Sequence, residues 1–130
     1  MMEPKVRQMI VCEDARIRAG SQGKIDILGL MSKVTAKSFP CNHTLAVYLC
    51  LTDGRGIGQG RIDVRKAMTG NVVYKGVLHE FELGSDPLRR HPFMIRVFSC
   101  PLPEPGWYAV EFVYNEIVLE SCELLVEKAP

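Results

Sequence analysis

The chain has 130 residues, enough for one hydrophobic core but not for two, so we expect a single domain over residues 1–130. Hydrophobic residues make up 47% and charged residues 24%, which is typical of soluble globular proteins and argues against disorder or a fibrous protein. The 16 Lys and Arg nearly balance the 15 Asp and Glu and are dispersed, so neither nucleic acid nor a membrane is an expected partner.

The N-terminal segment and the cysteines indicate the compartment. Glu3, Lys5 and Arg7 interrupt the apolar run that a secretory signal would need, and no segment approaches the roughly 20 apolar residues of a membrane span. The cysteines are odd in number, widely spaced and mostly within apolar segments: Cys12, Cys41, Cys50, Cys100 and Cys122. We therefore expect free, buried thiols and a cytoplasmic protein.

The first half of the chain contains three segments typical of β-strands. Residues 5–12 and 23–30 are rich in aliphatic residues, and Gly20 and Gly23 indicate the turn between them. Residues 44–52 alternate aliphatic side chains with mixed ones, which predicts a strand with one strongly apolar face.

The second half continues the same pattern of alternation. Residues 61–65 place Ile and Val opposite charged side chains, which predicts a strand with one buried face and one face in water, suited to a sheet edge. Further strands are predicted in residues 77–83 and 93–98. Residues 107–114 and 117–127 flank a short polar turn and predict a C-terminal hairpin.

No amphipathic helical segment of about ten residues occurs, so the chain is expected to be all-β. Eight or nine short antiparallel strands pack most naturally as two sheets around one core. We therefore predict a two-sheet sandwich, immunoglobulin-like or C2-like, with a small β-barrel as the alternative.

Three segments resemble an uncharacterised bacterial family, known as a domain of unknown function. They are VCEDARI with the following GKIDILGL, the Phe39–Pro40 pair, and the C-terminal PGWYAVEFVYNEIVLESCELLV. The similarity covers most of the chain. It implies a β-sandwich and a bacterial origin, but its motifs are structural in character, so it supplies no activity and no functional residues.

Motifs for cofactors are weak in this sequence. The glycines of residues 54–60 fall at every second position before a strand and lack the helix of a phosphate-binding loop, so we interpret them as a flexible hairpin connection. Cys41 and His43 could supply two zinc ligands, but no further pair completes a site. We expect no bound metal and no cofactor.

Catalytic motifs are equally weak. No serine lies at a G-x-S-x-G elbow, and no cysteine has a histidine placed to take its proton. His79 alternates with Val77 and Phe81, which favours a core or half-buried imidazole over a general base. The sequence therefore favours binding over catalysis.

The most distinctive local chemistry lies in the loop GSDPLRRHP. Arg89, Arg90 and His91 are consecutive cations, and guanidinium groups bind carboxylate or phosphate in bidentate fashion. These residues are candidates for an anion or partner site, although pairing of the arginines with acids such as Asp86 is the simpler interpretation. Trp107, at the head of a predicted strand, is a further candidate, with a packing role at the mouth of the core as the alternative.

The closing strand carries apolar residues on both faces, which indicates either coverage on both sides or an exposed association surface. We therefore expect a non-catalytic interaction or assembly module, acting as a homo-oligomer or with a protein partner. A small-ligand or anion-binding sandwich is the first alternative. An enzyme whose site is assembled from distant loops is the second.

Overall fold

The computed structural model describes residues 3–20 and 24–130, in which the chain forms ten β-strands and no helix. One sheet contains β1 (Lys5–Ile17), β2 (Ile25–Leu30), β4 (Cys41–Thr52) and β8 (His91–Leu102). The other sheet contains β3 (Lys33–Ala36), β5 (Ile57–Lys66), β6 (Val72–Lys75), β7 (His79–Glu82), β9 (Gly106–Tyr114) and β10 (Ile117–Lys128). Gly23, predicted to belong to the first turn, lies outside the described residues.

The strands form the predicted two-sheet sandwich and not the alternative barrel. The strand order is β2-β1-β4-β8 in the first sheet and β3-β10-β9-β5-β6 in the second, where β7 also pairs with β5. All pairs are antiparallel except β3 with β10, which is parallel. Within the ranges given above, no helix is long and apolar enough to cross a membrane.

The boundaries of several strands differ from the sequence predictions. The four-residue strands β3 and β6 were not predicted, because so few residues show no clear alternation. The strand predicted from residue 77 begins only at His79, and His79 is exposed, so the prediction of a buried imidazole is wrong. The C-terminal hairpin is confirmed, and its turn residues Asn115 and Glu116 both have positive φ, as two-residue hairpin turns require.

The core lies between the facing surfaces of the sheets. On β4 it contains Leu45, Val47, Leu49 and Leu51, each at most 1% exposed. Burying one such aliphatic side chain contributes roughly 1.5–3 kcal/mol, so this strand alone supplies a large share of the apolar stabilisation. Ala46 is also buried but belongs to a separate small cluster, because its side chain points to the opposite face.

Glycines in β5 make room for an aromatic cluster. The Phe81 ring centroid lies 4.4 Å from that of Phe93 and 5.6 Å from that of Phe112. A Cβ at Gly60 would lie 2.7 Å from the Phe81 ring and 3.0 Å from the Phe112 ring, and a Cβ at Gly58 would overlap Tyr114. Residues 57–60 are therefore the first part of a strand, and the interpretation of residues 54–60 as a flexible connection was wrong beyond residue 56.

A buried ion pair lies on the outer face of the same strand. Arg61 and Asp63 are 8% and 3% exposed, and the Arg61 Nε donates to both carboxylate oxygens of Asp63 at 3.0 and 3.1 Å. Arg61 also donates to Glu116 at 2.9 Å. The prediction that the charged side of residues 61–65 faces water is wrong, because each charge here has a partner that replaces water. The strand is not a sheet edge either, since β9 lies on one side of it and β6 and β7 on the other.

Replacing Gly58 tests the close packing of β5 against the aromatic cluster. Gly58→Ala places a methyl group on the Tyr114 ring, so we expect the free energy of unfolding to fall by about 1–3 kcal/mol, as for other overpacked cores. Gln59→Ala, at the exposed neighbouring position, should change it by less than about 0.5 kcal/mol. Urea unfolding followed by circular dichroism measures both, and equal effects would show that the aromatic ring moves aside.

Replacing Asp63 tests the buried ion pair. Asp63→Ala leaves the Arg61 guanidinium buried without its carboxylate, so we expect a loss of about 3–5 kcal/mol in the free energy of unfolding. Asp63→Asn retains an oxygen acceptor and should lose less. Lys33→Ala, which breaks an exposed pair with Glu127, should cost at most about 1 kcal/mol. A loss for Asp63→Ala as small as that of Lys33→Ala would contradict this account.

Candidate functional site

An apolar cleft opens between the two sheets on the side where β8 ends the first sheet. Its volume is about 210 Å³. We call it the β8 cleft, and it is lined by Ile62, Tyr74, Gly76, Val77, His79, Ile95, Arg96, Val97 and Phe98. These residues come from β5, β6, β7 and β8 and from the link between β6 and β7, so the cleft exists only in the assembled sandwich.

The rim of the cleft is apolar and exposed to water. Among the lining residues, Val77 is 71% exposed and Phe98, which alternates with the core-facing Ile95 and Val97, is 67% exposed. The fully buried side chains of Ile62 and Val97 form its base. Single exposed apolar residues are ordinary, but two that line one apolar cleft make that cleft a candidate interaction site.

The segment that carries Val77 is positioned by a hydrogen bond to a side chain and not by pairing with a neighbouring strand. Residues 76–78 separate β6 from β7, and along this edge β5 pairs with β7 up to Gly60 and with β6 from Asp63. The Gly76 N–H donates to the Asp63 carboxylate at 3.1 Å. A Cβ at Gly76 would overlap the Ile62 carbonyl oxygen, so only glycine allows this close approach. The buried ion pair of β5 therefore fixes the position of Val77.

The basic side chains that line the cleft are Arg96 and His79. Arg96 donates from Nε to the Asp14 carboxylate at 3.1 Å and from Nη2 to the Ala15 carbonyl at 3.0 Å. The Ala15 N–H, followed by the Arg96 guanidinium, holds the pKa of the Asp14 carboxyl below its ordinary value. Arg96 is thus committed to the outer face of the first sheet, and the interior of the cleft is left apolar.

The predicted cationic loop lies at one end of the sandwich. Arg89 and Arg90 are exposed, and among the described residues no carboxylate lies within ion-pair distance of either. Asp86 does not pair with them, because its carboxylate accepts the Leu88 N–H at 2.9 Å and its carbonyl accepts the Arg89 N–H at 3.3 Å. The expected pairing with Asp86 was wrong, and the guanidinium groups are free to meet an anion.

His91 differs from its two arginine neighbours. It is the first residue of β8, is half-buried, and stacks on Phe93 with ring centroids 6.4 Å apart. Its Nε2 atom is buried and has no hydrogen-bond partner among the described residues. His91 therefore belongs to the aromatic cluster at the core margin, and the exposed cations of this loop are Arg89 and Arg90.

Trp107 lies at the opposite end of the molecule. It precedes the core residue Tyr108, points to the outer face of its sheet and is 49% exposed, so it has no packing role in the core. Tyr108 pairs with the last residue of β5, whereas the cationic loop contacts the segment just before β5 begins. Because the ten residues of β5 span roughly 30 Å, Trp107 and the arginines do not form one site.

Two other grooves are less enclosed or smaller. One of about 380 Å³ lies on the other open side of the sandwich, between Leu30, Met9 and Cys122, and is more open to solvent. The other, beside Trp107 and Met68, has a volume of only about 50 Å³. On the closing strand, Leu124 and Val126 are buried, while Ile117 and Val118 are each 48% exposed near the hairpin turn.

The thiols and histidines do not converge on a reactive group. All five cysteines lie within the described ranges and are free, as predicted. Burial, with a smaller contribution from Cys41, raises the pKa of the Cys100 thiol to about 11, so this sulfur is a poor nucleophile. His43 lies 3.6 Å from Glu13, and no group of three metal-ligating side chains occurs in residues 3–20 or 24–130.

The residues that line the β8 cleft were not among the candidates from the sequence. The alternation in residues 93–98 does place Phe98 on the face opposite Ile95 and Val97, which was the available signal. That signal could not show that β8 lies at a sheet edge, because sheet order is not encoded in the pattern of one strand.

Two solved structures resemble the fold. An alkylpurine DNA glycosylase from Pseudomonas fluorescens, bound to DNA with an abasic site analogue, is 12% identical, with a TM-score of 0.50 over 97% of this chain and 31% of its own. A β-glucosidase from Listeria innocua is also 12% identical, with a TM-score of 0.50 over 92% of this chain and 16% of its own. The chain thus spans less than a third of either protein, and the likeness concerns the fold alone.

No curated protein sequence matches the chain at a significant level. The resemblance to an uncharacterised family is confirmed, because the model of a family of unknown function, DUF6941, matches residues 7–127, and the chain belongs to that family.

Proposed function

We propose that the chain is a non-catalytic protein-interaction module that binds its partner at the β8 cleft. The observation that carries this proposal is the exposure of Val77 and Phe98 beside the edge of β8 that pairs with no strand in residues 3–20 and 24–130. Removing such side chains from water favours association, and aromatic residues at the centre of an interface contribute most strongly.

The size of the cleft supports a protein partner over a free small molecule. Ligand pockets commonly enclose roughly 300–1,000 Å³, whereas the β8 cleft holds about 210 Å³ and is open along the strand. Its volume suits one or two side chains from a partner. The remaining contacts would come from the rim and from the backbone of β8.

Anion binding at the loop of Arg89 and Arg90 is the second candidate function. It is supported by the exposure of both arginines and by the Asp86 carboxylate, which accepts the Leu88 N–H and forms no ion pair with either of them. Of the three cationic residues of this loop, only His91 is half-buried. Neither arginine is buried, so the loop does not enclose an anion. Its arginines are better suited to a charged contact at the margin of a larger interface.

Capture from a lysate of the organism that encodes the chain tests the proposed interaction surface. Wild-type protein, Val77→Glu and Phe98→Glu would be immobilised in parallel, with Met68→Glu as a control at a 92% exposed site away from the cleft. We expect a protein that wild type and Met68→Glu retain and that both cleft variants lose. Purified, it should bind Phe98→Glu at least about tenfold more weakly in calorimetry, as expected for one buried aromatic side chain.

Circular dichroism would establish that the three variants are folded. The proposal is wrong if every captured protein is retained equally by all four forms, or if binding of the purified partner is unchanged in both cleft variants. Loss of binding in Met68→Glu alone would move the interaction surface to the opposite end of the sandwich.

A further inference from the structure

The free edge of β8 is long and only partly protected. Within the described residues β8 pairs only with β4, so its other side presents backbone N–H and C=O groups without strand partners. Proteins commonly interrupt such edges with proline or irregular backbone. In β8 these interruptions are Pro92 near its start, and Ser99, where φ is 49°, and Pro101 in its last four residues. Between them, residues 93–98 form a regular stretch that coincides with the cleft.

An added strand would place alternate side chains in the β8 cleft. Side chains alternate between the two faces of a strand, and Ile95 and Val97 point toward the cleft from β8. A strand paired to the free edge would direct every second side chain to the same side. Backbone hydrogen bonds and a pocket for alternate side chains are the two components of recognition by strand addition.

The charges along this edge select the occupant. From Pro87 to Pro103 the chain carries Arg89, Arg90, His91 and Arg96 but no Asp or Glu. Arg96 is already paired with Asp14, but Arg89 and Arg90 have no ion-pair partner among the described residues. Pairing of β8 with β8 of a second copy would therefore add two such cationic loops, and no balancing carboxylate from this segment, to one interface. A partner strand that carries carboxylates would instead meet the exposed guanidinium groups of Arg89 and Arg90.

Resting on the interaction function above, we propose that β8 receives an extended acidic segment of another protein as an additional strand. Apolar side chains of that segment occupy the cleft beside Val77, Ile95 and Val97, and its carboxylates face Arg89 and Arg90. Arg90 and Arg96 are six residues apart, or about 20 Å along a strand, so the segment needs about eight residues to reach both regions.

Synthetic peptides and the full purified chain test this inference. The probe is a blocked peptide of about ten residues that alternates Val and Glu, long enough to follow the edge. The matched controls alternate Val and Lys, or carry one central Pro that removes a backbone donor. Nuclear magnetic resonance titration should shift the backbone amides of residues 93–98, and the Val–Glu peptide should bind at least about tenfold more tightly than either control.

Protein variants connect that binding to the residues that carry the proposal. Phe98→Glu and the double variant Arg89→Glu with Arg90→Glu should each weaken binding of the Val–Glu peptide about tenfold or more, and added salt should weaken it further. Leu30→Glu, a 77% exposed apolar site at the other open side, should leave it unchanged.

Three outcomes of the peptide titration would overturn the inference. They are equal binding of the Val–Lys peptide, amide shifts centred on β1 and β2, and no binding at millimolar peptide. In any of these cases, a lysate protein whose capture still requires Val77 and Phe98 would support the proposed interaction function. Its recognition would then use a mode other than strand addition. A mass of two chains in light scattering, lost in Phe98→Glu, would assign the edge to a second copy and also overturn the inference.

Discussion

The side of the sandwich that carries the β8 cleft depends on the hydrogen bonds that the Asp63 carboxylate accepts. Its two oxygens share a bifurcated hydrogen bond from the Arg61 Nε–H, one of them also accepts the Gly76 N–H, and the side chain is almost fully buried. A buried carboxylate is tolerated because its partners replace water, and here one of those partners is the backbone that leaves β6. The chain therefore turns outward at a fixed point, and Val77 follows directly. Without this anchor, neither the wall of the β8 cleft nor its spacing from β8 would be determined.

The sequence predicts the sandwich because apolar side chains at every second position of a strand indicate that one face of that strand is buried. Where one face is aliphatic and the other mixed, as in residues 44–52, the predicted strand and its core face are confirmed. The same signal fails for Arg61 and Asp63, since charge alone does not distinguish a wet face from a paired and buried one. It fails for Gly58 and Gly60 as well, because a missing side chain indicates either a flexible turn or a close approach. Only the position of the aromatic rings decides between those two.

The candidate functional residues also fall into two groups: those that are neighbours in the sequence, and those that come together only in the folded sandwich. The exposed cations Arg89 and Arg90 could be predicted, because they are consecutive in the sequence and because residues of a loop are usually exposed. The β8 cleft was not, since Ile62, Val77 and Phe98 come from three separate segments and meet only when the strand order is known. Trp107 shows the limit of reasoning from residue type. Its position, one residue before the core-facing Tyr108, directs it outward, and the length of β5 separates it from the arginines.

The outer face of the second sheet and the edge at β8 differ in how their polar groups are satisfied. That difference favours the edge at β8 for binding. On the outer face of the second sheet, Arg61 pairs with Asp63 and Glu116, and Arg65 pairs with Glu111 at 2.8 Å. A partner would have to compete with these bonds, which costs free energy that new contacts must offset. At the β8 cleft most side chains are apolar, the one guanidinium, that of Arg96, is already paired with Asp14, and among the described residues β8 pairs with β4 alone. A strand that docks there breaks no ion pair, adds hydrogen bonds to groups already oriented by β4, and covers apolar surface at the same time. The free edge and the apolar cleft therefore act together.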